Sequence, residues 1–205
     1  MLFSKSDNIM MKTSPLVDIS QGISELKSVK EIHVVAVKNE VKELLWIFDK
    51  GYAGEILIKT ANLIGKDTQE FEFVLSSEGN QESKYSLPLS YLYEPNSAIL
   101  KSGAFNQVSI QLKTTKLNKH SHLYTSDELV AFPGRSFNIK EILPFQKKML
   151  KKRFGGTKAN ITTRNFPKKV DEIRKSLSIN DGGEVYLFFT TISTEEKVCL
   201  VCVKI

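Results

Sequence analysis

Two segments near the end of the chain, residues 184–192 (EVYLFFTTI) and 197–205 (KVCLVCVKI), carry apolar side chains at successive positions instead of alternate ones. β-Branched and aromatic residues dominate both, which favours strands. Successive residues of a strand point to opposite faces, so a strand that is apolar on both sides belongs inside a sheet covered on both. The residues before them supply the cover. A strand is predicted over 135–143, a helix over 145–154, a Gly155-Gly156 turn, a strand over 159–163, and a helix from Pro167 that buries Val170, Ile173 and Leu177, ended by Asp181-Gly182-Gly183. The last third therefore reads as a βαβαββ module.

The rest of the chain alternates strand and helix signals less clearly. NIMMKTS reads as a short strand, VDISQGISELKS as a helix with Ile19, Ile23 and Leu26 at helical spacing, and EIHVVAV as a buried strand. A lone strand-helix-strand cannot cover both faces of a sheet, which leads us to expect further structure upstream. Asn39 is a candidate N-cap for a helix placing Val41, Leu44, Leu45 and Phe48 on one side, with Gly51 as its stop. EILIKTA and EFEFVLS follow as strands, so residues 31–76 read βαββ. SSEGNQESK reads as a loop. Short helices broken at Pro95 and Gly103 are expected over 91–117, and the stretch HSHLYTSDELVAFPG is mostly turn-like.

The 205 residues are 41% hydrophobic and 25% charged, the balance of a globular protein. The longest apolar run, Val198 to Val203, is far below the roughly 18 residues of a membrane span. The N-terminal MLFSKSDNIMMKTSP is interrupted by Lys5, Asp7 and Asn8 and does not read as a secretory signal, so a cytoplasmic address is expected. Cys199 and Cys202 lie three apart on one strand and face opposite ways, which suits two structural thiols better than a redox or metal pair.

Charge is distributed unevenly. Residues 140–175 hold twelve basic residues against three acids, +9, while the whole chain is +6 and the remainder therefore −3. Such asymmetry points to a polyanion-binding surface. On the helix beginning near Phe145, Lys147, Lys148, Lys151 and Lys152 fall within an arc of roughly 140°, opposite Phe145, Met149, Leu150 and Phe154. A lysine stripe of this kind suits phosphates whose counterions are released on binding; a merely solubilising helix face is the plainer alternative. Lys158, in Arg153-Phe154-Gly155-Gly156-Thr157-Lys158, and Arg164, in Thr163-Arg164-Asn165-Phe166-Pro167, extend the candidate set, because a glycine turn and a strand-to-helix junction can offer backbone N–H groups to an anion.

Several chemistries find no support. Gly155-Gly156-Thr157-Lys158 lacks the full phosphate-loop pattern, and there is no nucleophile elbow, zincin motif or Cys/His nucleophile pair. His120 and His122, with Asp127 and Glu128 nearby, make only a weak metal set. His33 reads as a satisfied core residue and Trp46 as packing. No glycine-rich turn follows a first strand, so the chain is not expected to bind a nucleotide-like cofactor unaided.

The segments KTSPLVDIS, EIHVVAVKNEVKELL, LYEPNSAILKSGAF, HLYTSDELVAFPGRSFNI, KANITTRNFP and INDGGEVYLFFTT together resemble a bacterial family of class I S-adenosylmethionine-dependent methyltransferases. In that family a Rossmann-like catalytic domain is followed by a ferredoxin-like and a THUMP-like domain. The resemblance implies an α/β (α+β) chain in which residues 1–30 are the tail of a catalytic domain, 31–76 a ferredoxin-like βαββ unit, 77–131 a linker with short helices, and 132–205 a THUMP-like domain. It implies RNA as partner, and the charge reading above supplies the candidate contacts Lys147, Lys148, Lys151, Lys152, Lys158 and Arg164. S-adenosylmethionine would be the cofactor of the complete enzyme, bound by residues upstream of Met1, and this chain alone would be inactive. The alternative is a protein-interaction module that docks onto a separate methyltransferase subunit.

Overall fold

The computed structural model describes residues 2–205 and divides into two units. One runs to Glu82 and resumes over Pro95–Val108; the other takes Ser83–Glu94 and Ser109–Ile205. Both are mixed α+β, each built on one mixed sheet. No helix among the described residues is long and apolar enough to cross a membrane.

The first unit holds a five-stranded sheet in the order β1-β3-β2-β4-β5, formed by β1 (Asn8–Thr13), β2 (Val29–Val37), β3 (Glu40–Asp49), β4 (Leu57–Ile64) and β5 (Asp67–Val74). β2 and β4 run parallel, and the other neighbours are antiparallel. Because β1 pairs with β3, the expected boundary between residues 30 and 31 falls inside one sheet. The helix α1 (Ile19–Glu25) starts where the Asp18 carboxylate accepts from the Gln21 N–H at 2.9 Å. α2 (Leu75–Asn80) occupies part of the expected SSEGNQESK loop. α3 (Ser97–Ser102) is capped by Asn96 and ended by Gly103 at φ +79°.

Residues 40–49 correct the sequence reading: they form β3, not a helix, so 31–76 is four consecutive strands. Their apolar residues fit both periods. Val41, Leu44, Leu45 and Phe48 recur as on a helix, yet Leu44, Trp46 and Phe48 alternate as on a strand and are the ones buried. Lys38 and Asn39 decide the matter. Both sit at positive φ, 51° and 64°, and make the two-residue turn that joins Val37 to Glu40 in a hairpin. Asn39 is thus a turn residue. The buried face of this sheet, with Ile32, Val34, Leu44, Trp46 and Ile58, is met by α3 and by α1, whose Gly22 lies against the Trp46 ring. Trp46 is fully buried and its indole N–H donates to Thr13 Oγ1 at 2.9 Å, a packing role.

The second unit holds a seven-stranded sheet in the order β10-β11-β12-β9-β6-β8-β7. Its strands are β6 (Tyr91–Pro95), β7 (Thr115–Lys116), β8 (Tyr124–Ser126), β9 (Gly134–Pro144), β10 (Asn160–Arg164), β11 (Val185–Thr191) and β12 (Lys197–Lys204). β6 and β8 replace expected helical and turn-like stretches, and α4 (Phe105–Gln111) lies between them in the sequence. The predicted double-sided burial of the last two strands is present. Leu187, Phe189, Cys199 and Val201 pack on one face, under Leu150 and Phe154 of α5 (Lys147–Phe154) and Ile173 and Leu177 of α6 (Val170–Leu177). Phe188, Val198, Leu200 and Cys202 pack on the other, with Leu92, Leu117, Leu123 and Phe137. The two cysteines are free, buried and on opposite faces, and burial pushes the Cys202 thiol up to about 12 and Cys199 higher still. Neither is a thiolate at neutral pH.

Candidate nucleic-acid interface

The helix α5 is fastened by its apolar side. Leu150 is fully buried, Phe154 nearly so, and Met149 packs beside them. At its entry the Phe145 ring meets Phe166 edge-on at 5.0 Å and Phe189 at 5.9 Å, tying the β9–α5 link to the β10–α6 link and to β11. With that side fixed, Lys147, Lys148, Lys151 and Lys152 must face water, and all four are exposed. Lys158 is exposed as well, beyond the turn that follows the helix.

The basic run divides by residue type. Its three arginines each sit in an ion pair: Arg153 with Glu141, Arg164 with Glu94, Arg174 with Asp181. Its nine lysines have no carboxylate within 4.0 Å among the described residues. A guanidinium presents a rigid fork suited to fixed carboxylates, whereas an ammonium on a long stem stays hydrated and mobile. The arginines build the unit and the lysines remain as uncompensated charge.

Arg164 differs from the lysines of the candidate set in being ion-paired. It lies on β10 and not on α5, and its Nε and Nη2 donate to Glu94 Oε1 at 3.0 and 2.8 Å. Arg135 engages the other oxygen through Nε at 2.7 Å and through Nη2. The Glu94 side chain is only 6% exposed, and two guanidinium groups compensate its burial. β10 and β6 are separated by three strands in the sheet order. At about 4.8 Å per strand a flat sheet would hold them roughly 19 Å apart, so the sheet curls to bring Arg164 onto Glu94.

The glycine turn expected from the sequence to bind an anion is closed by its own hydrogen bonds. In the glycine turn, the N–H of Gly155 donates to Lys151 O at 2.9 Å, that of Gly156 to Ser178 O at 2.7 Å and that of Thr157 to Phe154 O at 3.0 Å. Gly155 is needed for closeness, since a Cβ there would lie 2.5 Å from Lys151 O. Before α6, Pro167 is not the first helical residue; the helix begins at Val170, and the Glu172 carboxylate accepts from the Lys169 N–H at 3.1 Å. With Asp171 and Glu172 in its first turn, that end already holds its negative charge.

The histidines divide as well. No cluster of metal-ligating residues occurs among the described residues. His120 is exposed, whereas His122 sits half-buried with its pKa lowered to about 4, first by burial and then by the charges of Lys116 and Arg164. His33 is satisfied as expected but is not in the core: it bonds Glu31 at 2.7 Å on the partly exposed face of the five-stranded sheet, where Lys59 joins at 2.9 Å and Glu31 is held below the usual carboxylate range by these two neighbours.

With this geometry in hand, comparison with known proteins places the charged helix. Residues 134–204 match the THUMP domain-like family model. All of α5, α6 and strands β9 to β12 lie within that match. A second family model, a ferredoxin-like domain, matches residues 91–133, downstream of the block over 31–76 to which the resemblance attached that label. A crystal structure from Porphyromonas gingivalis W83, of a protein provisionally described as a methyltransferase, matches 97% of this chain with a TM-score of 0.90 and 36% sequence identity. The chain spans about half of that protein, 51% of its length. No curated protein matches. The THUMP-like region thus carries the lysine face, all five lysine candidates and the ion-paired Arg164.

Proposed function

We propose that this chain is an RNA-binding accessory region of a bacterial, cytoplasmic class I S-adenosylmethionine-dependent methyltransferase, corresponding to its C-terminal part. The observation that carries the reading is the split between paired arginines and unpaired lysines on a THUMP-like region. Lys147, Lys148, Lys151, Lys152 and Lys158 hold the phosphate backbone, and Arg164 positions β10 through Glu94. The methyl donor belongs elsewhere. The turn from β1 into α1, residues 14–18, contains no glycine of the kind that lets a cofactor approach the backbone of an α/β domain. Similarity to a protein described as a methyltransferase supports the enzyme class.

Contact by five lysines predicts a salt slope of about −4 in log K against log [salt], so raising salt fourfold weakens binding on the order of a hundredfold. Reversing Lys147, Lys148, Lys151 and Lys152 to Glu removes most of that slope. Filter binding or fluorescence anisotropy on a structured RNA reads both, and binding that is undetectable or indifferent to salt overturns the proposal.

A second reading, docking onto a separate catalytic subunit, is favoured by the far face of the five-stranded sheet. There Leu45, Ile47, Val35 and Ala61 are only half-buried, and Met10 and Leu63 are 66% and 41% exposed. Co-expression with the half of the relative that this chain does not match would yield a stable complex, and Ile47→Asp would abolish it.

A further inference from the structure

We infer that the second unit has a separate pocket for one unpaired nucleotide of the bound RNA, an inference that rests on the RNA reading above. The pocket is a cleft of about 470 Å3 lined by Tyr85, Lys119, His120, Asn165, Ser193 and Lys197, among others. Its volume lies in the roughly 300–1,000 Å3 range of small-molecule sites. It opens at the carboxyl ends of the parallel strands β10 and β11, beside Asn165 and Thr191, where open α/β sheets place their ligands.

The floor of this cleft is built around one side chain. Asn118 is 5% exposed, and its amide makes every hydrogen bond it can. Nδ2 donates to Ile192 O and to Glu195 Oε1, both at 3.0 Å, while Oδ1 accepts from the His120 N–H at 3.1 Å and from Asn165 Nδ2 at 3.0 Å. Thr191 Oγ1 adds a bond to Asn165 O at 2.7 Å. Three chain segments that are remote in sequence are thereby fixed to one another. Asn165 and Glu195 adopt the left-handed region, at φ 48° and 63°, Glu195 within the hairpin turn that joins β11 to β12.

The lining matches a nucleotide in its parts. Tyr85 is 44% exposed and offers an aromatic face on which any base can stack. Lys119 and Lys197 are exposed ammonium groups outside any ion pair among the described residues, suited to a phosphate, with His120 adding charge when protonated. The Asn165 amide keeps one N–H and its oxygen for a base edge, and Ser193 brings a hydroxyl. Glu195 is the one acid of the lining, and Asn118 already engages it.

The test compares a blunt RNA hairpin with the same hairpin carrying an unpaired tail, using the full chain. Tyr85→Ala is expected to weaken the tailed probe about tenfold and leave the blunt one unchanged; Tyr85→Phe retains wild-type binding, since stacking needs only the ring. Lys119→Glu with Lys197→Glu acts the same way, and circular dichroism confirms that each variant is folded. Equal losses on both probes, or no loss on either, overturn the pocket while leaving the lysine face standing. If neither hairpin binds the wild type, the broader RNA reading fails. The pocket is then judged by titrating adenosine and uridine monophosphates and following the Asn165 and Asn118 side-chain amides by NMR: shifts that Tyr85→Ala abolishes sustain it, and their absence sinks it.

Discussion

The two sheets differ in how they treat their second face. The seven-stranded sheet buries both, with α5 and α6 over Leu187 and Phe189 on one side and Leu92, Leu117 and Phe137 over Phe188 and Leu200 on the other. The five-stranded sheet buries one face under α1 and α3 and leaves Leu45, Ile47 and Val35 half-covered on the other. The first sheet is covered on both faces, and the helix over it carries charge outward; the second leaves apolar side chains half-exposed on one face. Substitution separates them most sharply. Leu150→Ala, beneath the lysine helix, is expected to cost about 2–5 kcal/mol in urea denaturation, whereas Leu45→Ala on the half-covered face costs under about 1 kcal/mol. Equal losses would mean that the second face is as well packed as the first.

Within the five-stranded sheet the covered face should behave as a core. Gly22 admits the Trp46 ring so closely that an added Cβ would lie 2.3 Å from it. Trp46 is pinned by its bond to Thr13, so it cannot simply swing aside. Gly22→Ala is therefore expected to destabilise by about 1–3 kcal/mol despite the better helix propensity of alanine. A thermal melt unchanged from wild type would show that α1 shifts freely over the sheet.

The contrast also explains what could be read from the chain beforehand. Strands β11 and β12 are apolar at successive positions over Val185–Phe189 and Val198–Val203, a pattern that suits a strand between two cores, so the C-terminal module was legible almost element by element. Residues 40–49 satisfy the helical and the strand period together, and the Lys38-Asn39 turn that chooses between them needs positive φ at a lysine, for which sequence offers little signal. In the same way the lysines of α5 follow from helical spacing, because the apolar side fixes the charged side. Arg164 could not be separated from them: its partner Glu94 is 70 residues away, and only the curl of the sheet brings the two together. Asn118 was missed for the same reason. Four partners drawn from three segments leave no local pattern.

Acid should strain the second unit before the first. His122 titrates at about 4 in the folded chain against 6.5 as a free side chain, so between these values the unfolded state binds the extra proton and folding is penalised. Its contribution is fully present above pH 6.5, fades as pH falls and is lost by pH 4, a loss on the order of 2 kcal/mol. His122→Gln is expected to flatten the stability profile over that window. Glu31, whose pKa is lowered by His33 and Lys59, adds its own loss only as pH falls below the normal carboxylate range. Denaturant midpoints across the window distinguish the two.

The smallest effect falls on the surface that carries the proposed function. Lys147, Lys148, Lys151 and Lys152 make no ion pair among the described residues and cover an exposed stripe, so their mutual repulsion is the main term their removal changes. Replacing all four by Gln is expected to leave the melting temperature within about 2 °C of wild type, with any shift upward and confined to low salt, where the charges are least screened. The same variant should lose most of its salt-dependent RNA binding. Stability and binding thus come apart on this helix: Leu150 decides whether the stripe exists, and the lysines decide only what it holds. A large fall in melting temperature on replacing the lysines would place them in the architecture with the arginines, and would remove the distinction on which the RNA reading depends.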